Sequence, residues 1–292
     1  VAAITSAVPS LVPDRVLLGV AAVALVALVN LRGLRESGTV FAIPTYAFVV
    51  SISVMIAVGL YKWISAQFLG GPPIVPVHKT FPAFGAAPVG IAFWFLVLRA
   101  FAGGCAAMTG TEAVADGIPA FRPPESRNAA ATLVYMAIIL AFLFMGISIL
   151  ANVYHAVPSE YAAEAGGRKP EFETVVSQIA RGVFGRCWFY YVIQSATALI
   201  LILAANTAFQ DFPRLSSILA RDRFAPRQFM SIGDRLVFSN GILALSALAA
   251  GLIVVFKGDT HALIPLYAVG VFISFTLSQF SMSIRQRKLK HP

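Results

Sequence analysis

Residues 91–119 read IAFWFLVLRAFAGGCAAMTGTEAVADGIP. A helix crosses the hydrocarbon of a bilayer with about 20 mostly apolar residues, so this run is too long for one straight crossing. It also carries its own interruption, with Gly103-Gly104, then Thr109-Gly110-Thr111, then Glu112. Glycine is about 1 kcal/mol worse than alanine in a helix, and flanking threonines can bond back onto the backbone. The helix is therefore predicted to unwind near residues 108–111, close to mid-membrane by count, with Glu112 opening a second half-helix. An acid at a helix N-terminus is favoured by the dipole, yet in low dielectric it must be protonated or paired with a cation. Broken transporter helices use freed carbonyls and half-helix ends in this way to bind substrate or coupling ion. The competing reading is a protonated Glu112 bonded to a neighbouring helix, with the glycines serving only close packing. Arg99, thirteen residues earlier, lies about 20 Å away along a helix axis. It is expected to snorkel or to serve structure, not to pair with Glu112.

The rest of the chain has the same solvent. Over 292 residues, 58% are hydrophobic and only 12% charged, and the mean hydropathy is +0.80. That balance excludes a soluble domain with a polar surface. About seven runs qualify as spans, namely 16–31, 40–64, 91–119, 131–154, 188–209, 241–256 and 263–284. Residues 1–10 read as the tail of a further helix, starting in mid-pattern without an initiator methionine. The sequence is thus expected to be a piece, residues 1–292, of one transmembrane transporter domain. Asp211-Phe212-Pro213-Arg214 reads as the end of a span, followed by an amphipathic stretch whose arginines face phosphate headgroups. The proline-rich residues 65–90 read as an irregular outer connection, and 155–186, longer than a bundle connection needs to be, as a plain connector, short interfacial helices or a lid.

Charge orients the bundle, because short cytoplasmic loops retain Lys and Arg. If the spans alternate, thirteen basic residues fall on one side, among them Arg32, Arg122, Arg127, Arg214, Arg221, Arg223, Arg227 and those from Arg285 to Lys290. Eight fall on the other, from Arg15 and Lys62 to Arg181, Arg186 and Lys257. The first side is read as cytoplasmic. A net charge of +9 invites a nucleic-acid partner, but the basic residues sit at span ends and form no stripe with exposed aromatics. Cys105 and Cys187 lack metal-ligand spacing. The four histidines are scattered, and no serine or cysteine has a base at motif spacing, which argues against an enzyme.

TGTEAVADGIPAFRPPESRNAAATL, residues 109–133, resembles the segment around the sixth helix of the amino acid-polyamine-organocation superfamily. NLRG at 30–33 followed by ESG resembles that superfamily's turn between helices 4 and 5. NTAFQDFPRLSSILARDRFAPRQF, then GDRLVFSNGI and GDTHALIPLYAVGVFISFTLSQ, is similar to the KimA-type proton-coupled potassium importers within it. The resemblance implies an all-α membrane protein with a five-plus-five inverted-repeat fold, of which these spans are helices 4 to 10, with helix 6 broken. It places Thr109 and Glu112 on helix-6 positions that face a bound cation, and Tyr267 on a helix-10 position near the same site. It also implies a homodimer with a cytosolic domain after the last helix, and ion ligands on helices 1 and 3.

The expected activity is potassium uptake driven by a proton gradient, in the cell membrane and with no other cofactor. Thr109, Gly110, Thr111, Glu112 and Tyr267 form the cation site, and Glu112 is also the proton-coupling group. Hydroxyl, carboxylate and carbonyl oxygens suit a hard cation. The alternative substrate is an amino acid or polyamine, since a glutamate after the break is common across the superfamily.

Overall fold

The computed structural model describes residues 1–33, 38–77, 89–105, 110, 114, 118, 121–158, 173–231 and 238–290. These form helices α1 (Ala2–Ala7), α2 (Arg15–Leu31), α3 (Gly38–Phe68), α4 (Ile91–Cys105), α5 (Glu125–Val153), α6 (Val175–Phe184), α7 (Trp188–Arg221), α8 (Ser239–Val255) and α9 (Thr260–Lys290). Among the described residues there is no β-strand. Each of the seven apolar runs holds a helix, the run 91–119 over Ile91–Cys105, with most of its remainder outside the described residues. Four helices are long and apolar enough to cross a membrane, at Phe41–Phe68, Glu125–Val153, Trp188–Arg221 and Ala262–Lys288. α2 and α8, with 17 residues each, rise about 25 Å, and α4, with 15, about 22 Å, all short of a hydrocarbon core of about 30 Å.

The chain divides into two compact units, residues 1–83 with 136–258, and residues 84–135 with 259–292. In the first, α3 packs against α7, and α2 against α8 and α7. Lipid tails are as apolar as leucine, so membrane helices associate through close packing and not through hydrophobic burial. Glycines allow it here. A Cβ on Gly146 of α5 would lie 2.5 Å from Ile56 Cδ1 of α3, and one on Gly59 of α3 would lie 2.8 Å from Leu150 Cδ2 of α5. The helices meet where those side chains are absent, around fully buried Ile52, Met55 and Leu150.

Contacts within this unit sort the chain as the charges do. Gly258 lies beside Arg15 and Gly19 beside Ile253, the Lys62 ammonium donates to the Val183 carbonyl, and the Val77 amide donates to the Tyr154 carbonyl at 2.8 Å. Toward the other end of α2 and α7, Asn30 Nδ2 donates to Asn206 Oδ1 at 2.6 Å. Val26, Ala27, Phe209 and Ile242 pack together there.

One expectation is corrected. α7 does not stop at Pro213 but continues to Arg221. Proline removes one helical donor and adds ring bulk, which membrane helices tolerate when their surroundings adapt. A Cβ on Gly241 would lie 2.9 Å from Pro213 Cα, so the bulk is taken up by a helix with no side chain at that point. The connection after α5 contains a short helix, as its length suggests, namely α6, whose Ile179, Ala180 and Val183 are buried.

Candidate functional site

The second unit contains α4, the first turns of α5, and α9, with α4 packed against α9. α4 carries an exposed Arg99 and ends at Gly103-Gly104-Cys105. Five residues on, Gly110 has φ = +96°, in the left-handed region that side chains disfavour. A Cβ at Gly110 would meet nothing within 4 Å among the described residues, and neither would one at Gly103 or Gly104. At Gly110 the backbone conformation itself calls for glycine. Thr109, Thr111 and Glu112, the other members of the sequence-derived site in this stretch, lie outside the described residues.

Tyr267 lies on α9, two residues after Pro265, and is 45% exposed. Pro265 removes the donor that would otherwise bond the His261 carbonyl. The packing of α9 on α4 thus joins the helix that bears Tyr267 to the helix that leads into Gly110. Beyond the candidate site, Asn128 Nδ2 donates to the Arg122 carbonyl at 2.8 Å. That bond fastens the Arg/Pro loop to the first turn of α5.

The first unit holds a polar network that the sequence reading missed. Glu173 accepts from Arg181 Nη2 at 2.8 Å, from Arg181 Nε at 3.2 Å and from Ser177 Oγ at 2.9 Å. Ser177 Oγ lies 2.8 Å from Tyr190 Oη, which donates to the Ser6 carbonyl at 3.1 Å. Gln178 pairs with the Val157 backbone through both its amide groups, at 3.1 and 2.8 Å. The available signal was spacing, since positions 173, 177 and 181 share one helical face, and Thr174 is a serviceable N-cap, accepting from the Ser177 amide. Scored as loop charges, the residues concealed this. The network fastens α1, α6 and α7 to one another at the end of the unit opposite Asn206.

A sequence model of amino acid permeases matches residues 1–291. The chain belongs to the amino acid permease family. Membership makes it a transporter and not an enzyme, and with its apolar helices it is a multi-pass protein of the cell membrane. This permease is 50% identical over 288 residues to the potassium transporter KimA of Bacillus subtilis (strain 168). The match covers 99% of the chain and 44% of that relative, so the chain spans less than half the relative's length.

Proposed function

We propose that the whole protein imports potassium using a proton gradient, and that the ion binds where the chain unwinds around Gly110. The observation that carries the choice of ion is the 50% identity to a potassium transporter across 288 residues. The left-handed backbone at Gly110 supports an interrupted helix, as in a five-plus-five inverted-repeat transporter. Thr109 and Thr111 supply hydroxyls and the backbone near Gly110 supplies carbonyls, the several oxygen ligands that a hard cation needs in place of water. Glu112 balances the ion's charge and exchanges the coupled proton, and Tyr267, on the helix packed beside α4, adds a phenolic oxygen. The family description favours a second reading, in which an amino acid or polyamine occupies the same break.

The test uses the full-length protein in proteoliposomes. Rubidium uptake is expected to rise as the outside is acidified, and Glu112→Gln to abolish that dependence. Amino acid uptake without rubidium uptake refutes the potassium reading.

A further inference from the structure

α6 is tied down at both ends and on two flanks, each time to a different part of one compact unit. At its start the Thr174 amide donates to Ser6 Oγ of α1 at 3.0 Å. At its finish the Lys62 ammonium of α3 donates to the Val183 carbonyl, a cation at the negative end of a helix dipole. On one flank Ser177 Oγ lies 2.8 Å from Tyr190 Oη of α7. On another, Gln178 accepts from the Val157 amide at 3.1 Å and donates to the Val157 carbonyl at 2.8 Å. Gly182, one turn along the same flank, completes that contact, since a Cβ there would lie 2.8 Å from Tyr154 Cδ1. Residues 154 and 157 are the first beyond the end of α5 at Val153.

An element that opens has the reverse character. Lids are drawn from the weakly held parts of a structure, with few buried contacts and solvated backbone. In α6, Ser177, Ile179 and Ala180 have 0% exposure. That burial is present within this unit alone, and surrounding chain can only deepen it. Glu173 and Arg181 bond to each other and hold the element as one piece. Lifting it would therefore break its ties to α1, α3, α7 and residue 157 together. The helix to which it is bolted is itself fixed at the far end, by Asn30 on Asn206 and by Pro213 against Gly241.

We propose that α6 is a keystone, not a lid. It locks α1, α3, α7 and the end of α5 into one body at the face that the basic residues make the outer one, and it stays closed through the whole transport cycle. Alternating access by rocking one group of helices against another needs such a rigid body. The way in from outside opens elsewhere.

In full-length protein otherwise free of cysteine, Ser6→Cys with Thr174→Cys places two thiols where the present bond spans 3.0 Å, within reach of a disulfide or a short bis-methanethiosulfonate linker. Uptake of rubidium into proteoliposomes is measured on the linked protein and on the same preparation after reduction. The ratio of the two rates is expected to be about 1, because a lock on a part that does not move leaves the cycle unchanged. Loss of uptake on linking, restored by dithiothreitol, shows that α6 must lift and overturns the proposal. Failure of both reagents to link the pair also overturns it, since the two positions are then not held together in the membrane. Protein that carries amino acid and not rubidium refutes the choice of potassium alone, and the same ratio is then read with the amino acid. In the native-cysteine protein, the amides of residues 179–183 are expected to resist hydrogen exchange in potassium and in sodium alike, and loss of that protection in either overturns the keystone.

Discussion

Alanine substitutions at Gly103 and Gly110 are predicted to act with opposite sign, although the two glycines are seven residues apart and a Cβ on either meets nothing within 4 Å among the described residues. Gly103 lies within α4, and a Cβ there meets nothing within 4 Å among the described residues. Gly103→Ala therefore relieves the entropy cost of a helical glycine and stabilises by about 0.5–1 kcal/mol. Gly110 has the same room but φ = +96°. There a side chain clashes with its own backbone, and Gly110→Ala costs about 1–2 kcal/mol. The two variants should thus differ by roughly 1.5–3 kcal/mol. Thermal unfolding of purified protein in detergent, followed by retention of the monodisperse peak, measures the difference. Rubidium uptake should be retained in Gly103→Ala. In Gly110→Ala it should fall roughly 5–30-fold if the strain is expressed as loss of the binding-competent conformation, since 1–2 kcal/mol is a factor of that size. If Gly110→Ala is as stable and as active as Gly103→Ala, the left-handed backbone has no energetic or functional weight and the reasoning fails.

Gly146→Ala places a methyl 2.5 Å from Ile56 Cδ1 and should destabilise by about 1–3 kcal/mol. Ile56→Ala should restore part of that loss, and a double-mutant cycle in detergent unfolding that finds no coupling removes the close α3–α5 contact. Arg181→Met should cost more than Glu173→Gln, because it leaves a carboxylate that is 9% exposed without its cation. Arg181 is 34% exposed, so solvent screens the pair and the loss is about 1–3 kcal/mol, below that of a fully buried pair, as the same unfolding assay would read.

The helices were legible because apolar runs in lipid form helices, and each of the seven runs from 16–31 to 263–284 holds one, four of the helices being long and apolar enough to cross a membrane. Their ends were less so. Pro213 reads as a stop signal in isolation, and only the space left by Gly241, 28 positions later, makes it an internal residue. α6 was obscured for another reason: two of its five buried residues are polar, Ser177 bonded to Glu173 and Gln178 to the Val157 backbone, so its buried face shows no apolar pattern. Of the candidate site, Gly110 was readable from the mismatch between glycine and an apolar helix. Tyr267 came from resemblance alone, since one tyrosine on an apolar helix has no distinguishing periodicity.

The bond from Tyr190 Oη to the Ser6 carbonyl joins residues 184 positions apart. At a synthesis rate of about 5–20 residues per second, α1 leaves the ribosome roughly 9–37 s before Tyr190 exists. Its hydroxyls are provided for in the interval. Thr5 Oγ1 and Ser6 Oγ both donate to the Ala2 carbonyl, at 3.1 and 2.8 Å, so neither is an unsatisfied donor before α6 and α7 are made. When α6 and α7 arrive, Ser6 Oγ accepts from the Thr174 amide without surrendering its own bond. The order of synthesis is thus accommodated by a helix whose side-chain hydroxyls are satisfied beforehand and that has acceptors in reserve for partners made later.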